Sequence, residues 1–206
     1  MTLYEHDGAF SISMTGQELM HSKASASETM LGKIGVERLD PDSPSRILVG
    51  GLGLGFTLRS VLEMTGQNAL VELVELIPEV IQWNREFLSD LNGAMLEDPR
   101  VQIRTEDVYA VIRTAEPKSY DVILLDVDNG PVAMVTSKNR SLYSRPGLLA
   151  IKQALKRSGR AVFWSAGQDM KFDNLLQKSG FKVRVVRAKV HETAKRPAYF
   201  LYIAEK

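Results

Sequence analysis

The stretch Ile47-Leu48-Val49-Gly50-Gly51-Leu52-Gly53-Leu54-Gly55 joins an apolar run of strand length to a glycine-rich turn. A segment with helical spacing follows directly, with Leu58, Val61 and Leu62 on one face. Clustered glycines let a backbone turn sharply and let a ligand approach the main chain closely. Any strand-to-helix turn can be rich in glycine, so a glycine-rich turn indicates a ligand site only together with other features of the sequence. The candidate ligand-binding residues of this turn are Gly51, Gly53, Leu54 and Gly55.

Apolar runs of strand length alternate with helical segments from Arg46 onward, which is typical of a parallel sheet buried on both faces. The runs cover residues 47–49, 69–74, 101–103, 120–125 and 161–164. Before the last of them, apolar residues from Leu148 to Leu155 have helical spacing, and this helix is predicted to end at Ser158-Gly159. Five consecutive βα units are therefore expected.

The end of the chain distinguishes between fold families. Residues 181–190 alternate, a polar loop with Arg196-Pro197 follows, and residues 198–204 again have the pattern of a strand. The loop is too short for a crossover helix, so the two strands are expected to pair antiparallel. This ending resembles the class I methyltransferase fold. The resemblance implies a Rossmann-like α/β domain with a mostly parallel seven-stranded sheet and a C-terminal antiparallel hairpin.

The first 45 residues have a different pattern. Residues 9–14 alternate, Thr15-Gly16 interrupts the alternation, and residues 17–21 continue it, which indicates a short β-hairpin. A helix is predicted near residues 27–34, and Pro41-Asp42-Ser43-Pro44 breaks the chain. We therefore predict an N-terminal extension over residues 1–45 and a ligand-binding domain over residues 46–206.

Composition narrows the classes of function and partner. The formal net charge is only +1, so no global field attracts nucleic acid or an acidic membrane, and neither partner is predicted. The basic segment 181–206 is interpreted first as a solvated strand face and second as an anion site. Because His6, His21 and His191 are scattered and Cys is absent, no metal is predicted. The lack of Cys, of a signal-like start and of a long apolar run favours the cytoplasm.

Acidic residues end the second and third predicted strands. Glu75 is the candidate ligand of a ribose diol because ligands bind at the carboxyl ends of strands in open α/β sheets. Glu72 is the alternative, and it points to the opposite face. Asp107, with Val108 beside it, is a candidate for the exocyclic amine of adenine. A helix N-cap explains Asp107 equally well, and both roles are compatible.

Several pieces of the chain, from about Phe10 to Trp164, carry a family resemblance. They are residues 51–59, 74–75, 98–101, 106–108 and 120–126, with an N-terminal hairpin and residues 27–31 before them. Together they are similar to the spermidine synthase family, which are aminopropyltransferases on the methyltransferase fold. The resemblance implies S-adenosylmethionine or its decarboxylated form as co-substrate and a small amine as acceptor.

The sequence departs from that family at two places. Leu54 stands where the family's glycine loop has an Asp that holds the aminopropyl amine, and Asn129 stands where the family has the second Asp of its Asp-Ser-Ser-Asp-Pro motif. Asp126 keeps the first Asp and is the candidate to accept or orient the proton of the attacking amine. Asp128 is the candidate to attract a cationic amine, while Asn129 and Tyr143 are candidate substrate residues. Turn chemistry is the alternative for Asp126 and Asp128.

The leading hypothesis is a spermidine-synthase-like transferase that moves an alkyl group, such as aminopropyl, to a small amine. A small-molecule methyltransferase on the same fold is the first alternative, which Leu54 favours because methyl transfer needs no amine anchor. A nucleoside-binding protein without turnover is the second. Trp164 is expected at the ligand edge of the sheet. The family resemblance also makes a homodimer a candidate assembly.

Overall fold

The computed structural model describes residues 1–127 and 141–206. Its strands are β1 (Thr2–His6), β2 (Ala9–Met14), β3 (Gln17–His21), β4 (Ser45–Gly50), β5 (Ala69–Val74), β6 (Val101–Arg104), β7 (Tyr120–Leu125), β8 (Leu155–Ser165), β9 (Lys182–Ala188) and β10 (Tyr199–Glu205). Its α-helices are α1 (Ala26–Val36), α2 (Phe56–Met64), α3 (Pro78–Glu86), α4 (Ser89–Asn92), α5 (Val108–Thr114), α6 (Arg145–Ala154) and α7 (Met170–Lys178). In the ranges described, no helix combines the length and the apolar character needed to cross a membrane.

The strands form two sheets. A three-stranded antiparallel sheet has the order β1-β2-β3, and a seven-stranded sheet has the order β6-β5-β4-β7-β8-β10-β9. Strands β4 to β8 of the larger sheet run parallel, and β10 runs antiparallel to both of its neighbours, β8 and β9. The predicted class I methyltransferase fold and its C-terminal hairpin are confirmed.

The seven-stranded sheet is buried on both faces, as the continuous apolar runs predict. Successive residues of a strand point to opposite faces, so Leu48 and Val49 contribute to two different cores. Val49 packs with Leu31 and Leu58 of α1 and α2, and Leu48 packs with Leu148 of α6. All five side chains are almost completely buried. Helices on both faces leave the strand ends as the place where a ligand can enter.

The boundary between α6 and β8 differs from the prediction. The helix does not continue to Ser158-Gly159, because β8 already begins at Leu155. Leu155 is fully buried and pairs with Tyr120 at the start of β7, and the register then shifts so that Val122 pairs with Arg160. Gly159 therefore lies inside an irregular strand and not at the end of a helix. The helical spacing of apolar residues extended to Leu155 because an apolar residue at this position fits a helix and a strand equally well.

The N-terminal region has one strand more than the predicted hairpin, since residues 2–6 add β1 to it. Helix α1 follows and packs on α2 and β7. A Cβ at Gly35 would lie 2.4 Å from the Cδ2 atom of Leu124, so a larger residue cannot occupy this position without displacement. This close approach fixes α1 against the sheet. The division of the chain at residue 45 stays a prediction.

Glu72 lies in an ion cluster inside the sheet and lines no ligand cleft. Its carboxylate accepts hydrogen bonds from Arg46 Nη2 at 3.0 Å, Arg104 Nη1 at 2.8 Å and the Tyr120 hydroxyl at 2.7 Å. Burial acts to raise the pKa of Glu72, but these hydrogen bonds outweigh it and the pKa is lowered. The cluster joins β4, β5, β6 and β7 and leaves Glu75 as the acidic residue at the strand end.

We expect Glu72→Gln to lower the free energy of unfolding by about 1–3 kcal/mol, because it leaves polar partners of a buried group without their charged acceptor. Urea denaturation measures this change. Glu63→Gln is the matched control: Glu63 forms an exposed ion pair with Arg59 one helical turn away, for which the change stays below about 0.5 kcal/mol. Equal losses in the two variants would contradict a structural role for the Glu72 cluster.

Candidate functional site

A cleft of about 470 Å³ opens along the carboxyl ends of the parallel strands. Its volume lies in the range of small-molecule sites. The β4–α2 turn, the ends of β5, β7 and β8 and the start of β10 form its floor and walls, while the N-terminal sheet and α1 close it from above. The predicted site residues in its lining are Gly51, Gly53, Leu54, Gly55, Glu75, Asp107, Val108 and Asp126.

Gly51 determines the shape of the turn. Its φ angle is +90°, and a Cβ at this position would lie 2.2 Å from the carbonyl oxygen of Asp126. The backbones of β4 and β7 also meet here through a hydrogen bond from Asp126 N to Gly50 O at 2.9 Å. A side chain at residue 51 would separate the two strand ends, so the glycine is what places Asp126 beside the turn.

Two buried asparagines hold the turn from behind. Asn84 of α3 donates from Nδ2 to the carbonyl of Gly53 at 2.8 Å, and Asn92 of α4 donates from Nδ2 to the carbonyl of Leu54 at 3.1 Å. A further bond of 2.7 Å joins Asn92 Nδ2 to Asn84 Oδ1. The sequence analysis missed this pair. The available signal was a polar residue, Asn84, at a position of the apolar helix face.

Glu75 is buried at the end of β5 and ties the turn to that strand. Its Oε2 atom accepts the backbone N–H of Leu52 at 2.9 Å, and its Oε1 atom accepts that of Ile77 at 2.9 Å. An ionised carboxylate offers about four lone-pair sites, so each oxygen keeps capacity for one more donor. The geometry fits two hydroxyl groups of a ribose, and this role of Glu75 stays a prediction.

Asp107 caps helix α5. Its Oδ1 atom accepts the backbone N–H groups of Tyr109 at 2.7 Å and Ala110 at 3.1 Å, as an N-cap does. The helix-cap alternative is therefore present in the structure. The residue also lines the cleft, so its contact with an adenine amine remains compatible with the cap and stays a prediction.

Asp126 follows β7 and is held by one hydroxyl group. Thr57 Oγ1 of α2 donates to Asp126 Oδ2 at 2.8 Å. Burial raises the pKa of Asp126 to about 6, and the hydrogen bond from Thr57 opposes this shift. A carboxyl with such a pKa can exchange a proton near neutral pH, which is what proton transfer in a reaction requires.

Glu28 of α1 is the acidic residue that the sequence analysis missed. It lines the same cleft, and the hydroxyl of Ser27 donates a hydrogen bond to its Oε2 atom. Burial first, and then the charge of Asp126, raise the pKa of Glu28 to about 7. Local pattern did not indicate this position, because an acidic residue in the first turn of a helix is ordinary helix-dipole chemistry.

Two aromatic residues close the other end of the cleft. The rings of Trp164 and Tyr199 pack with their centroids 4.8 Å apart. Trp164 is 9% exposed, and its buried Nε1 atom has no hydrogen-bond partner in the part of the chain described. Burial, and then the charge of Glu28, raise the pKa of Tyr199. The expected place of Trp164 at the ligand edge agrees with this geometry.

Tyr143, the one remaining predicted site residue within the described ranges, does not line the cleft. Tyr143 is buried in the core, where its ring packs on Phe163 and Phe172 and its hydroxyl donates to the Val127 carbonyl at 3.2 Å. Asp128 and Asn129 lie outside the described residues. Within residues 1–127 and 141–206, no group of three or more His, Asp and Glu is arranged to hold a metal ion.

The architecture and cleft are those of proteins built on the class I methyltransferase fold. Residues 25–187 match the family model for the spermine/spermidine synthase domain, so the chain belongs to the spermine/spermidine synthase family. The fold is similar to that in the crystal structure of spermidine synthase from Thermotoga maritima, with a TM-score of 0.70 at 21% identity, covering 96% of this chain and 65% of that one.

Curated relatives include two kinds of enzyme. Polyamine aminopropyltransferase 2 of Pseudomonas aeruginosa is 34% identical over 125 residues, which cover 57% of this chain and 35% of the relative. Putrescine N-methyltransferase 2 of Nicotiana attenuata is 30% identical over 117 residues, which cover 57% of this chain and 30% of the relative. The matched region thus spans about a third of the length of these two relatives.

We expect Glu75→Ala to weaken the binding of S-adenosylhomocysteine by about 1–3 kcal/mol, because the ribose loses a buried acceptor and the turn loses its tie to β5. Isothermal titration calorimetry on the folded variant measures the change. Glu79→Gln, an exposed position on α3, is the control and should bind like the parent protein. Parent-like affinity in Glu75→Ala would remove this residue from the site.

The paired acids make the ligand-free protein less stable as the pH rises. Glu28 and Asp126 have folded-state pKa values above their ordinary values of 4.5 and 3.8, so the folded state binds more protons than the unfolded state between about pH 4 and 7. We expect the free energy of unfolding of the parent to fall by about 1–2 kcal/mol more than that of Asp126→Asn between pH 5 and pH 8. Urea denaturation at both pH values tests this. Parallel pH profiles for the two proteins would show that Asp126 does not titrate in this range.

Proposed function

We propose that this chain is a spermidine-synthase-like transferase that binds S-adenosylmethionine or decarboxylated S-adenosylmethionine and transfers an alkyl group, an aminopropyl group from the decarboxylated form, to a small amine. The observation that carries the proposal is the position of Asp126. Its carboxyl group lies in the same cleft as the glycine turn and Glu75, and its pKa is raised. Family membership supports the same class of reaction.

The nucleoside half of the cleft fits this ligand. Gly51 brings backbone to the cleft without a side chain, and Glu75 keeps two acceptor positions for a ribose. Val74, Ile77 and Val108 add apolar surface for a base, next to Asp107. We assign the ribose to Glu75 and the adenine to the space between Asp107 and Val108.

In the other half of the cleft, the position of Asp126 determines which chemistry is possible. A sulfonium compound of this class supplies a carbon atom that a nucleophile attacks in line. The new bond from nitrogen to carbon forms while the carbon–sulfur bond breaks, and the sulfur leaves as a neutral thioether with the bonding electron pair. The attacking amine must be neutral and must lie about 3–3.5 Å from that carbon. The hydrogen bond from Thr57 fixes Asp126, and its carboxylate form accepts or orients the proton that the amine loses. Because Asp126 comes directly after β7, backbone pairing with Gly50 keeps it beside the turn.

Methyl transfer to a small molecule is the second candidate, and Leu54 is the observation that favours it. Leu54 is buried against Ile12 and Leu88 and presents no charge to the cleft. An aminopropyl tail carries an amine that a leucine cannot neutralise, whereas a methyl group needs no such partner. The relative named putrescine N-methyltransferase supports this candidate as well.

Product analysis separates the candidates. The protein is incubated with each of the two sulfonium compounds and a panel of small amines, and the nucleoside products are separated by chromatography. We expect methylthioadenosine from the decarboxylated compound, which reports aminopropyl transfer. S-adenosylhomocysteine instead would establish the methyltransferase. Neither product, with binding retained, would reduce the chain to a nucleoside-binding protein and overturn the proposal.

Asp126→Asn tests the assigned proton role in the same assay. We expect kcat to fall by roughly 10²–10⁴-fold with a much smaller change in KM, which is the usual scale for loss of a general base. Glu116→Gln is the matched control, because Glu116 is exposed and precedes β7 at the opposite edge of the sheet. Equal losses of kcat and of nucleoside affinity in Asp126→Asn would favour the turn role over the catalytic one.

A further inference from the structure

A second groove lies behind the glycine turn, outside the cleft. It has a volume of about 500 Å³ and runs between α2 and residues 92–100. Its lining residues and those of the cleft have no member in common. A Cβ at Gly55 would lie 2.1 Å from Cε of Met95 and 2.9 Å from Nδ2 of Asn92. Two side chains of the groove wall therefore pack directly on the residue at which the turn passes into α2.

The side-chain amide of Asn92 has one orphaned atom. Nδ2 donates to the Leu54 carbonyl at 3.1 Å and to Asn84 Oδ1 at 2.7 Å. These two acceptors fix the orientation of the amide, because the opposite orientation would place its oxygen against both of them. Asn92 is 3% exposed, and its buried Oδ1 atom has no hydrogen-bond partner among the residues described. Buried polar atoms are nearly always paired, so this oxygen indicates a donor that binds in the groove.

The charge of the groove selects the class of donor. Its charged lining residues are Arg59, Glu63, Glu97, Asp98 and Arg100. The two guanidinium groups are neutralised inside the groove, by Glu63 and Asp98 at 2.8 Å each. Glu97 is paired only with Arg85, at 3.7 Å, and both of these side chains are more than half exposed. An anion would meet excess negative charge and a second acceptor, whereas a cation with N–H donors suits both.

The rest of the lining is apolar and suits an alkyl chain. Leu62, Ala94 and Met95 contribute this surface. The Asn92 oxygen is not exposed to solvent, so a ligand reaches it only through a small movement of the wall. Met95 is unbranched and has rotatable bonds along its whole length, so its side chain can make that movement.

We propose that this groove is a second binding site, which takes a small primary alkylammonium ion that donates to Asn92 Oδ1, with Glu97 as the balancing charge. This inference goes beyond the proposed function, because the site lies outside the cleft and needs no transfer reaction. A charged donor on Oδ1 polarises the amide and strengthens its hydrogen bond to the Leu54 carbonyl. An amine in the groove therefore stiffens the glycine turn and tightens nucleoside binding. Reciprocity requires the nucleoside to tighten amine binding by the same factor.

Calorimetry with 1-aminobutane tests the site, and it needs neither nucleoside nor turnover. We expect Ala94→Leu, which fills the groove from an exposed position, to weaken amine binding by about tenfold or more. Glu97→Gln should weaken it by about two- to fivefold, and Glu79→Gln, at an exposed position of α3, is the matched control and should bind like the parent. Urea denaturation verifies that the variants are folded.

Asp126→Asn distinguishes the groove from the cleft. Its amine binding should equal that of the parent, because Asp126 lines only the cleft. Loss of amine binding in Asp126→Asn together with parent-like binding in Ala94→Leu would place the amine in the cleft and overturn the inference. The absence of amine binding to the parent would overturn it as well.

A second titration tests the link to the turn. The affinity for S-adenosylhomocysteine is measured with and without saturating 1-aminobutane, and we expect it to be about two- to fivefold tighter with the amine. The effect should disappear in Ala94→Leu and with 1-butanol, which has the same chain and no charge. Unchanged affinity in the parent, or an equal effect of 1-butanol, would overturn the link. If S-adenosylhomocysteine does not bind at all, the proposed function fails while the amine titration still decides on the groove.

Discussion

The hydrogen bond from the Leu52 N–H to the Glu75 carboxylate is the constraint on which the site depends. It joins the glycine turn after β4 to the end of β5, while the contact between Gly51 and the Asp126 carbonyl joins the same turn to β7. These contacts within the chain hold three neighbouring strand ends in one geometry. Ligand binding does not have to order this part of the chain, which lowers its entropic cost.

Two acidic clusters in the same sheet have opposite electrostatics. Glu72 is surrounded by Arg46 and Arg104, and its pKa is lowered. Glu28 and Asp126 line one cleft and form no ion pair with a cation in the described ranges, and their pKa values are raised. The first arrangement contributes to folding, whereas the second costs stability in the ligand-free protein. Active sites commonly contain such unfavourable groups, because the bound ligand provides what the fold does not.

The sequence alone was sufficient to predict those features of the site that depend on residues close together in the chain. The glycine turn, Glu75 and Asp126 each follow directly after a strand, and Asp107 lies three residues after the end of β6. In a parallel sheet all such positions come to one edge. Glu28 was missed because its role depends on how α1 packs on the sheet. Spacing along the chain carries no information about that packing.

Two further differences between the predicted and the observed structure also arise from tertiary packing. Leu155 suits a helix and a strand equally, and pairing with Tyr120 decides for the strand. Tyr143 follows the site in sequence, yet its ring belongs to an aromatic cluster with Phe163 and Phe172 in the core. Tertiary contacts thus override local pattern where a residue is compatible with two environments.

The placement of Glu28 on α1 has a consequence for how such proteins diverge. The residues predicted to hold a nucleoside come from the segments between β4 and α5, whereas Glu28 comes from a helix that precedes all of them. A substitution at Glu28 can therefore change the charge of the cleft without altering the glycine turn. Such a change leaves Glu75 and Asp107 in place, since neither of them lies on α1.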